Sequence, residues 1–360
     1  MRKYIISVIS LSIALPSLLF SQETYQPDKQ GEWHLTNRIT AENCSYISDK
    51  SAFSAKVNSV ADWIHRNNKL MIQLKGFDAQ VNLNAACKEV ENNSAYKGFG
   101  NQGSIFIKFQ LFSINNGKER VWTDYCPNTG IFINDFIYKI ATRFDETGSK
   151  TDDPPELKLP LDNALENLRQ YWMASPVEKE IAPGVRLYAD NHLLIFNPDR
   201  PEFLVPVTVK EIMEAKLAYY KIKQEIDIIQ WNKSLSEWAK LGFKPDEATR
   251  PRSYDMMKKE FDAFTPEELS RWAYSGSEDG VSMINADGKG SPVMKFNPGC
   301  WDRRLKESAV QFICLEFAQP SEDELNAFYI KNKRPDYVGL FMNAMPAEKM
   351  ESLIDKMPKD

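Results

Sequence analysis

Apolar residues recur every three or four positions in several stretches, which predicts amphipathic helices. Residues 51–65 carry such a pattern, with Asp49 or Ser51 available as the N-cap. The longest pattern starts at a Thr208/Glu211 capping box and runs to Leu241. We expect a helix of about 33 residues there, roughly 50 Å long at 1.5 Å per residue. Its apolar seam spans only about three heptads, which favours packing within the fold over a coiled coil with a partner.

Strict alternation of apolar and polar residues predicts strands in other stretches. The clearest case is Ile105 to Leu111, followed by the turn residues 115–118 and a returning strand at Val121 to Tyr125. Shorter strands are predicted at 131–138, 185–189, 193–196, 293–296 and 310–317, and shorter helices at 161–172, 265–274 and 346–357, with a further helix starting at Ser321 and Glu324. Hairpins with interspersed helices, without regular alternation of strand and helix, predict an α+β fold.

Prolines and acidic residues crowd together after residue 146, among them Pro154, Pro155 and Pro160. Consecutive prolines disfavour both helix and central strand. We therefore expect a linker or surface loop at 148–160, between an N-terminal α+β domain at 22–147 and a C-terminal α+β domain at 161–360. The alternative is one domain with a long excursion at this point.

The first residues have the pattern of a secretory signal peptide. Arg2 and Lys3 precede an almost wholly apolar run from Ile5 to Phe20, and polar residues follow at once. The run is short against the roughly 20 residues that span a bilayer, so cleavage after Ser21 is predicted rather than a retained anchor. We therefore expect a mature chain that is not inserted in a membrane and that lies in the periplasm or outside the cell.

Charge narrows the choice of partners. The net charge is −5, and the acidic excess lies after residue 150. A nucleic-acid-binding protein needs a basic face to displace counterions from phosphates, so this class is not expected. Anionic membrane surfaces are disfavoured for the same reason.

The chain has five cysteines, at positions 44, 87, 126, 300 and 314. In an exported chain, Cys300 and Cys314 are the best candidates for a disulfide, because a short loop would close between them. The alternative is that Cys314, in an apolar stretch, packs as a small hydrophobic thiol.

Two loop motifs match known ligand sites only in part. Gly98, Gly100 and Gly103 spell a dinucleotide-binding pattern, but a strand follows them where a helix is required, so a turn is expected. Asn285 and Asp287, followed by Gly288, resemble a fragment of a calcium loop that lacks its other ligands, so we expect a tight turn there. No cofactor or metal site is predicted.

The spacing of residues along the sequence does not identify a catalytic group. The three histidines, His34, His65 and His192, have neither zinc-helix spacing nor an accompanying serine elbow. A capping or hydrogen-bonding role is expected for His192, beside a hairpin turn, and for His65, at a helix end. Acid–base hydrolysis needs only two facing carboxylates, for which the loop residues Glu202, Glu278 and Asp279 are candidates. Aromatic residues make up 12% of the chain, so sugar-stacking platforms are a further option, although most tryptophans should be core.

Three stretches resemble segments of exported Gram-negative bacterial proteins of unassigned activity. The first is residues 67–79, which contain Lys75 to Asp78. The second is residues 203–211, which contain Pro206 to Val209. The third is residues 296–317, which contain Asn297-Pro298 and Trp301-Asp302. The resemblance implies export and gives no chemistry.

The sequence therefore predicts a non-enzymatic exported protein that binds a ligand or an envelope partner. A secreted hydrolase acting on glycans or peptides is the alternative, because a dispersed site leaves little trace in one sequence.

Overall fold

The computed structural model describes residues 24–38, 50–86, 101–123, 126–242, 247–276, 280–317 and 335–357. The predicted signal peptide, the helix predicted to start at Ser321 and Glu324, and the residues Cys44, Cys87, Glu278 and Asp279 lie outside these ranges. The described strands, in chain order, are β1 (Thr24–Tyr25), β2 (Trp33–Arg38), β3 (Phe77–Ala86), β4 (Gln102–Asn115), β5 (Lys118–Val121), β6 (Asn128–Ile133), β7 (Ala141–Arg143), β8 (Tyr171–Ala174), β9 (Val177–Ala182), β10 (Val185–Tyr188), β11 (His192–Phe196), β12 (Leu204–Pro206), β13 (Tyr274–Ser275), β14 (Ile284–Asn285), β15 (Ser291–Phe296) and β16 (Phe312–Glu316).

Helices flank these strands in chain order. The described α-helices are α1 (Lys50–Asn67), α2 (Lys69–Ile72), α3 (Ile137–Ile140), α4 (Pro155–Leu168), α5 (Val209–Lys240), α6 (Ser253–Ala263), α7 (Pro266–Ser270) and α8 (Tyr337–Asn343). Short 3₁₀ helices lie at Glu247–Thr249, Pro298–Cys300 and Ala347–Leu353. The predicted α+β class is confirmed.

The strands form two sheets. The main sheet has the order β2-β3-β4-β6-β16-β11-β10-β9, with β1 and β5 also paired to β4. Its described pairs are antiparallel except β2 with β3. The smaller sheet has the order β14-β13-β15-β8-β7, with β12 paired to β15. We call these the main sheet and the smaller sheet.

Apolar side chains fill three layers of core between and around the sheets. The first lies between the main sheet and a helical layer made of α1, α8 and the C-terminal 3₁₀ helix, where Phe53, Phe77 and Phe341 are fully buried. The second lies between the two sheets and is rich in phenylalanine rings, such as Phe136 stacked on Phe312 at 4.1 Å. The third lies between the smaller sheet and helices α4, α5 and α6. Burial of this apolar surface is the main source of stability.

The long helix α5 matches its prediction closely. Thr208 caps it by accepting a hydrogen bond from the Glu211 backbone N–H. The side chain of Glu211 turns away and contacts the hydroxyl of Tyr171 instead, so this predicted capping box is half formed, whereas the box of Thr265 and Glu268 at α7 is complete. The predicted seam is buried in the first half of α5, which places it within the core rather than against a partner.

Residues 148–160 differ from the predicted linker. Helix α4 begins at Pro155, and Pro160 lies inside it. The expectation that consecutive prolines prevent a helix here is wrong, because a proline at the first helical position needs no N–H donor and its φ already fits a helix. Strands from both sides of this segment pair with each other, β6 with β16 and β7 with β8, so it does not separate the two sheets.

Other boundaries also shift. The strand predicted at 131–138 is β6, which ends at Ile133, and α3 follows it. Trp172 lies on β8 rather than at the end of a helix, and the last predicted helix is 3₁₀. The turn from β6 to α3 depends on Asn134, which has a positive φ of 59° and is fully buried, so its amide is committed to backbone partners. The apolar periodicity of the sequence did not indicate this turn, because the turn depends on the hydrogen bonds of one asparagine and not on a repeating pattern.

Candidate functional site

Among the described residues, one half of the main sheet has packing partners on only one of its two sides. In the parts of β3 and β4 at 77–85 and 103–111, the odd-numbered residues are buried against the helical layer, whereas the even-numbered residues point away from that core and are partly or fully exposed. The smaller sheet covers the opposite half, from β6 to β10. We call this side of β2, β3 and β4 the open face; its described side chains are those of His34, Thr36, Asp78, Gln80, Asn82, Asn84, Ser104, Phe106, Lys108 and Gln110.

An aromatic ring lies in the middle of the open face. Phe106 is 36% exposed and packs edge-on against Phe132, with the ring centroids 5.6 Å apart. Gly130, between them on β6, leaves the room for this packing, because a Cβ there would lie 2.8 Å from the Phe132 ring. The Lys139 ammonium covers the Phe132 ring at 3.8 Å from its centroid. The ring of Phe106 is therefore held in place while part of it remains in contact with solvent.

Amide side chains surround this ring. Gln80 donates to Thr36 at 3.1 Å, and Asn84 donates to Ser104 at 3.4 Å. The side-chain amides of Asn82 and Gln110 form no hydrogen bond within the described part of the chain. Because an amide offers two donors and two acceptor sites, most of the hydrogen-bonding capacity of the open face is directed outward.

A histidine lies where the smaller sheet stops covering the main sheet. His192 Nδ1 is 3.0 Å from Asp190 Oδ1, and the hydroxyl of Ser175 donates to the other oxygen of the same carboxylate. Burial opposes ionisation of Asp190, but the hydrogen bonds from His192 and Ser175 prevail and hold its pKa below the usual value. The Nε2 atom of His192 forms no hydrogen bond within the described residues and is left for another group.

A second carboxylate lies beside this histidine. Glu316 on β16 is the cross-strand neighbour of His192 on β11, and its Oε2 lies 3.3 Å from Lys139 Nζ. We call Ser175, Asp190, His192, Glu316 and Lys139 the histidine cluster. Glu316 and Asp190 keep roughly a third or more of their side chains exposed, so solutes can reach the cluster.

One row of side chains joins the histidine cluster to the open face. The register places Asn82 beside Phe106, Phe106 beside Gly130, Gly130 beside Glu316 and Glu316 beside His192. Four strand spacings of about 4.8 Å give this row a length of about 19 Å. The arrangement can therefore contact an extended ligand along the row.

The cluster does not have the geometry of a serine nucleophile. In a serine hydrolase the histidine takes the proton of the serine, while the carboxylate holds the other side of the ring. Here Ser175 donates to Asp190, so the carboxylate lies between serine and histidine. Among the described residues, no group of three or more His, Cys, Asp or Glu side chains could hold a metal ion.

The carboxylates singled out in the sequence are not brought together. Glu202 forms a two-point pair with Arg186, with both N–O distances 2.8 Å, and the hydrogen bonds from Arg186 lower the pKa of Glu202. Glu278 and Asp279 lie outside the described residues. Glu202 is therefore occupied by a structural ion pair, and the candidate hydrolytic pair is not assembled in the described part of the chain.

The other two histidines lie on the edge of the main sheet. His65 stacks on Trp33 with ring centroids 4.5 Å apart, and burial lowers its pKa. His34 lies 3.8 Å from Asp78 and 3.9 Å from Glu32 on exposed surface. Neither has a serine partner among its described contacts.

The proposed disulfide is not formed. Cys300 and Cys314 are both buried free thiols within the core between the two sheets. Burial raises the pKa of Cys300 to about 12 and that of Cys314 well above its usual value, so both stay protonated and unreactive. The alternative expectation, that Cys314 packs as a small apolar side chain, matches the structure.

The two loop motifs take up local roles. Asn285 Oδ1 accepts from the Asp287 N–H, Asp287 Oδ1 accepts from the Lys289 N–H, and Gly288 has a positive φ of 83°. These contacts confirm the predicted tight turn. Of the glycine-rich stretch, Gly103 lies on β4, and Gly98 and Gly100 lie outside the described residues.

Sequence reasoning placed His192 beside a hairpin turn but missed its partners. Asp190 belongs to that same turn, so the local sequence already held the signal for an Asp–His contact. Glu316 could not be found in this way, because it meets His192 only through the pairing of β16 with β11.

No family model, curated protein or solved structure matches this chain. Within the described residues, no helix combines the length and apolar character that crossing a membrane requires.

Proposed function

We propose that this chain is an exported protein of the periplasm or cell envelope that binds a ligand on the open face and has no enzymatic activity. The observation that carries the binding role is the uncovered half of the main sheet. A polar surface with a fixed, partly exposed ring at its centre suits recognition, because the ring supplies contact area and the amides supply direction.

The exported location is supported by the charged and apolar leader at residues 1–21. Expression of the full chain in a Gram-negative host, followed by fractionation and N-terminal sequencing, tests it. We expect a mature chain that starts at Gln22 and is recovered with the periplasm or the cell envelope and not with the cytosol. Recovery of the chain from the cytosol with Met1 attached would overturn the location.

Binding through the open face is tested by retention of the protein on washed cell envelopes. We expect the Phe106→Ser variant to be released into the soluble fraction under conditions that keep the wild-type protein bound. Trp272→Ser is the matched control, because Trp272 is also an exposed aromatic residue, 54% accessible, but lies beside the smaller sheet. Equal retention of all three proteins would contradict a role for the open face.

A secreted hydrolase is the second candidate, and the histidine cluster is the observation that favours it. His192, oriented by Asp190 and adjacent to Glu316, could act as a general base through Nε2. Labelled peptidoglycan and casein are suitable probes, with His192→Ala as the test variant. Turnover by the wild-type protein that His192→Ala abolishes would replace the binding role with the enzymatic one; turnover by neither protein supports binding.

A further inference from the structure

The open face differs from surfaces that bind charged ligands or peptides. We infer that its ligand is an uncharged, hydroxyl-rich glycan chain that lies along the row from Asn82 to His192. This inference rests on the proposed function and names the ligand class for the same surface. Three features of the face carry it: the amides, the fixed ring and the length of the row.

The amides match hydroxyl groups in their hydrogen bonding. A sugar hydroxyl both donates and accepts, and so does the amide of Asn or Gln. Asn82 and Gln110 have their full capacity free of described partners, and Asn84 and Gln80 use only part of theirs. A face built from such groups pairs with hydroxyls without burying an unmatched charge.

Charged ligands have little to bind on this surface. Lys108 carries the one ammonium among the described open-face side chains, and the register places Arg38 of β2 beside Asn84. The Asp78 carboxylate on the same side lies 3.8 Å from His34. A polyanion such as nucleic acid gains affinity by neutralising many phosphates, which two basic residues cannot do. The small number of charges, which are of both signs, therefore favours a neutral ligand.

Peptides are also a poor match. An extended peptide adds to a sheet through backbone hydrogen bonds at an edge strand. The row starts at Asn82 on β3, and both β3 and β4 are paired on both sides, so their backbone groups are already used. The edge strand β2 borders the row and is not part of it. The open face offers side chains instead, which is the mode expected for a ligand that has its own hydroxyl groups.

The exposed ring provides the apolar part of the contact. The ring of Phe106 is held in place by its edge-on contact with Phe132, so little conformational entropy is lost when a ligand covers it. The less polar face of a sugar ring has matching shape and chemistry. From this ring the row continues over three strand spacings of about 4.8 Å, about 14 Å in all, to the histidine cluster, and there Glu316 and Asp190 can accept hydrogen bonds from further hydroxyls.

Titration calorimetry with cellohexaose, maltohexaose and chitohexaose tests the inference. We expect at least one of these to bind the mature wild-type protein. Phe106→Ala should weaken that binding about tenfold through loss of the ring contact. Asn82→Ala should weaken it about fivefold through loss of hydrogen bonds to hydroxyls. Trp272→Ala should leave the affinity within about twofold of wild type.

The outcomes separate the ligand class from the binding role. If none of the three oligosaccharides binds at millimolar concentration, the glycan assignment is wrong, even if Phe106→Ser still releases the protein from envelopes. If an oligosaccharide binds but Phe106→Ala and Asn82→Ala bind it equally well, the glycan lies elsewhere on the molecule and the open face is excluded. Loss of binding in both variants, with Trp272→Ala unaffected, supports the inference. Matching unfolding curves for the variants exclude loss of folding as the cause.

Discussion

The two halves of the main sheet differ in how their second side is covered. In β3 and β4, alternate residues are polar and remain accessible. In β11 and β16, nearly every residue is buried, because the smaller sheet covers the side that α1 and the C-terminal helices do not. In the half with β3 and β4, the outward side chains can contact a ligand. In the half with β11 and β16, packing fixes nearly all of the side chains.

The largest contrast should come from removing one ring in each half. Phe312→Ala empties a site in the core between the sheets, where the ring contacts Phe136 and Trp301, and we expect a loss of about 3–5 kcal/mol. Phe106→Ala removes a ring that is 36% exposed, and we expect a much smaller loss, near 1 kcal/mol. Urea unfolding of both variants measures the difference. Similar losses would show that the open face is as tightly packed as the covered half.

Asn134 tests how the covered half is anchored at the end of β6. Its amide donates to the carbonyls of Asn101 and Ala309 and accepts from the N–H groups of Gln311 and Phe312. Asn134→Ala leaves these buried groups without partners, and we expect a loss of about 2–4 kcal/mol in urea unfolding. Asn191→Ala, at a positive φ in an exposed turn, is the control for backbone strain alone. An equal loss in the two variants would assign the effect to strain.

Gly130 lies at the boundary between the halves. Gly130→Ala places a methyl group 2.8 Å from the Phe132 ring, which must shift, and 3.4 Å from the Phe106 ring, which is an ordinary contact. We expect a loss of about 1–2 kcal/mol from this overpacking. Thermal unfolding detects it, and Gly117→Ala is a control without steric contact, although its positive φ adds strain. A neutral Gly130→Ala would mean that the rings are not held as tightly as the open face requires.

The smallest effect concerns the histidine cluster and depends on pH. Because the folded pKa of Asp190 is lowered from 3.8, its contribution to stability is present above that pH and is lost as pH falls through the folded pKa. With the Asp190 side chain 36% exposed, we expect Asp190→Asn to cost less than about 1 kcal/mol near neutral pH. The difference from wild type should vanish in acid, measured by urea unfolding across pH. A difference that persists in acid would contradict the ion-pair explanation.

Local signals in the sequence predicted the elements better than their arrangement. Helix α5 and the hairpin of β10 and β11 depend on capping and turn residues that lie within each segment, and both match closely. The order of strands depends on contacts between distant residues, such as those joining β6, β16 and β11, and no single sequence displays them. Of the candidate site, His192 was identifiable from its turn, whereas the open face requires knowing which half of the sheet remains uncovered.

Strand β16 joins the two parts of the main sheet from late in the chain. A polypeptide synthesised from its N terminus therefore presents β6 and β11 as two bare edges until residues 312–316 become available. Exposed edges of this kind template association between molecules, and pairings so distant in sequence form slowly. We expect truncation before Phe312 to yield aggregates instead of a smaller folded unit, and nascent chains of this protein to depend on chaperone protection until their final fifty residues emerge.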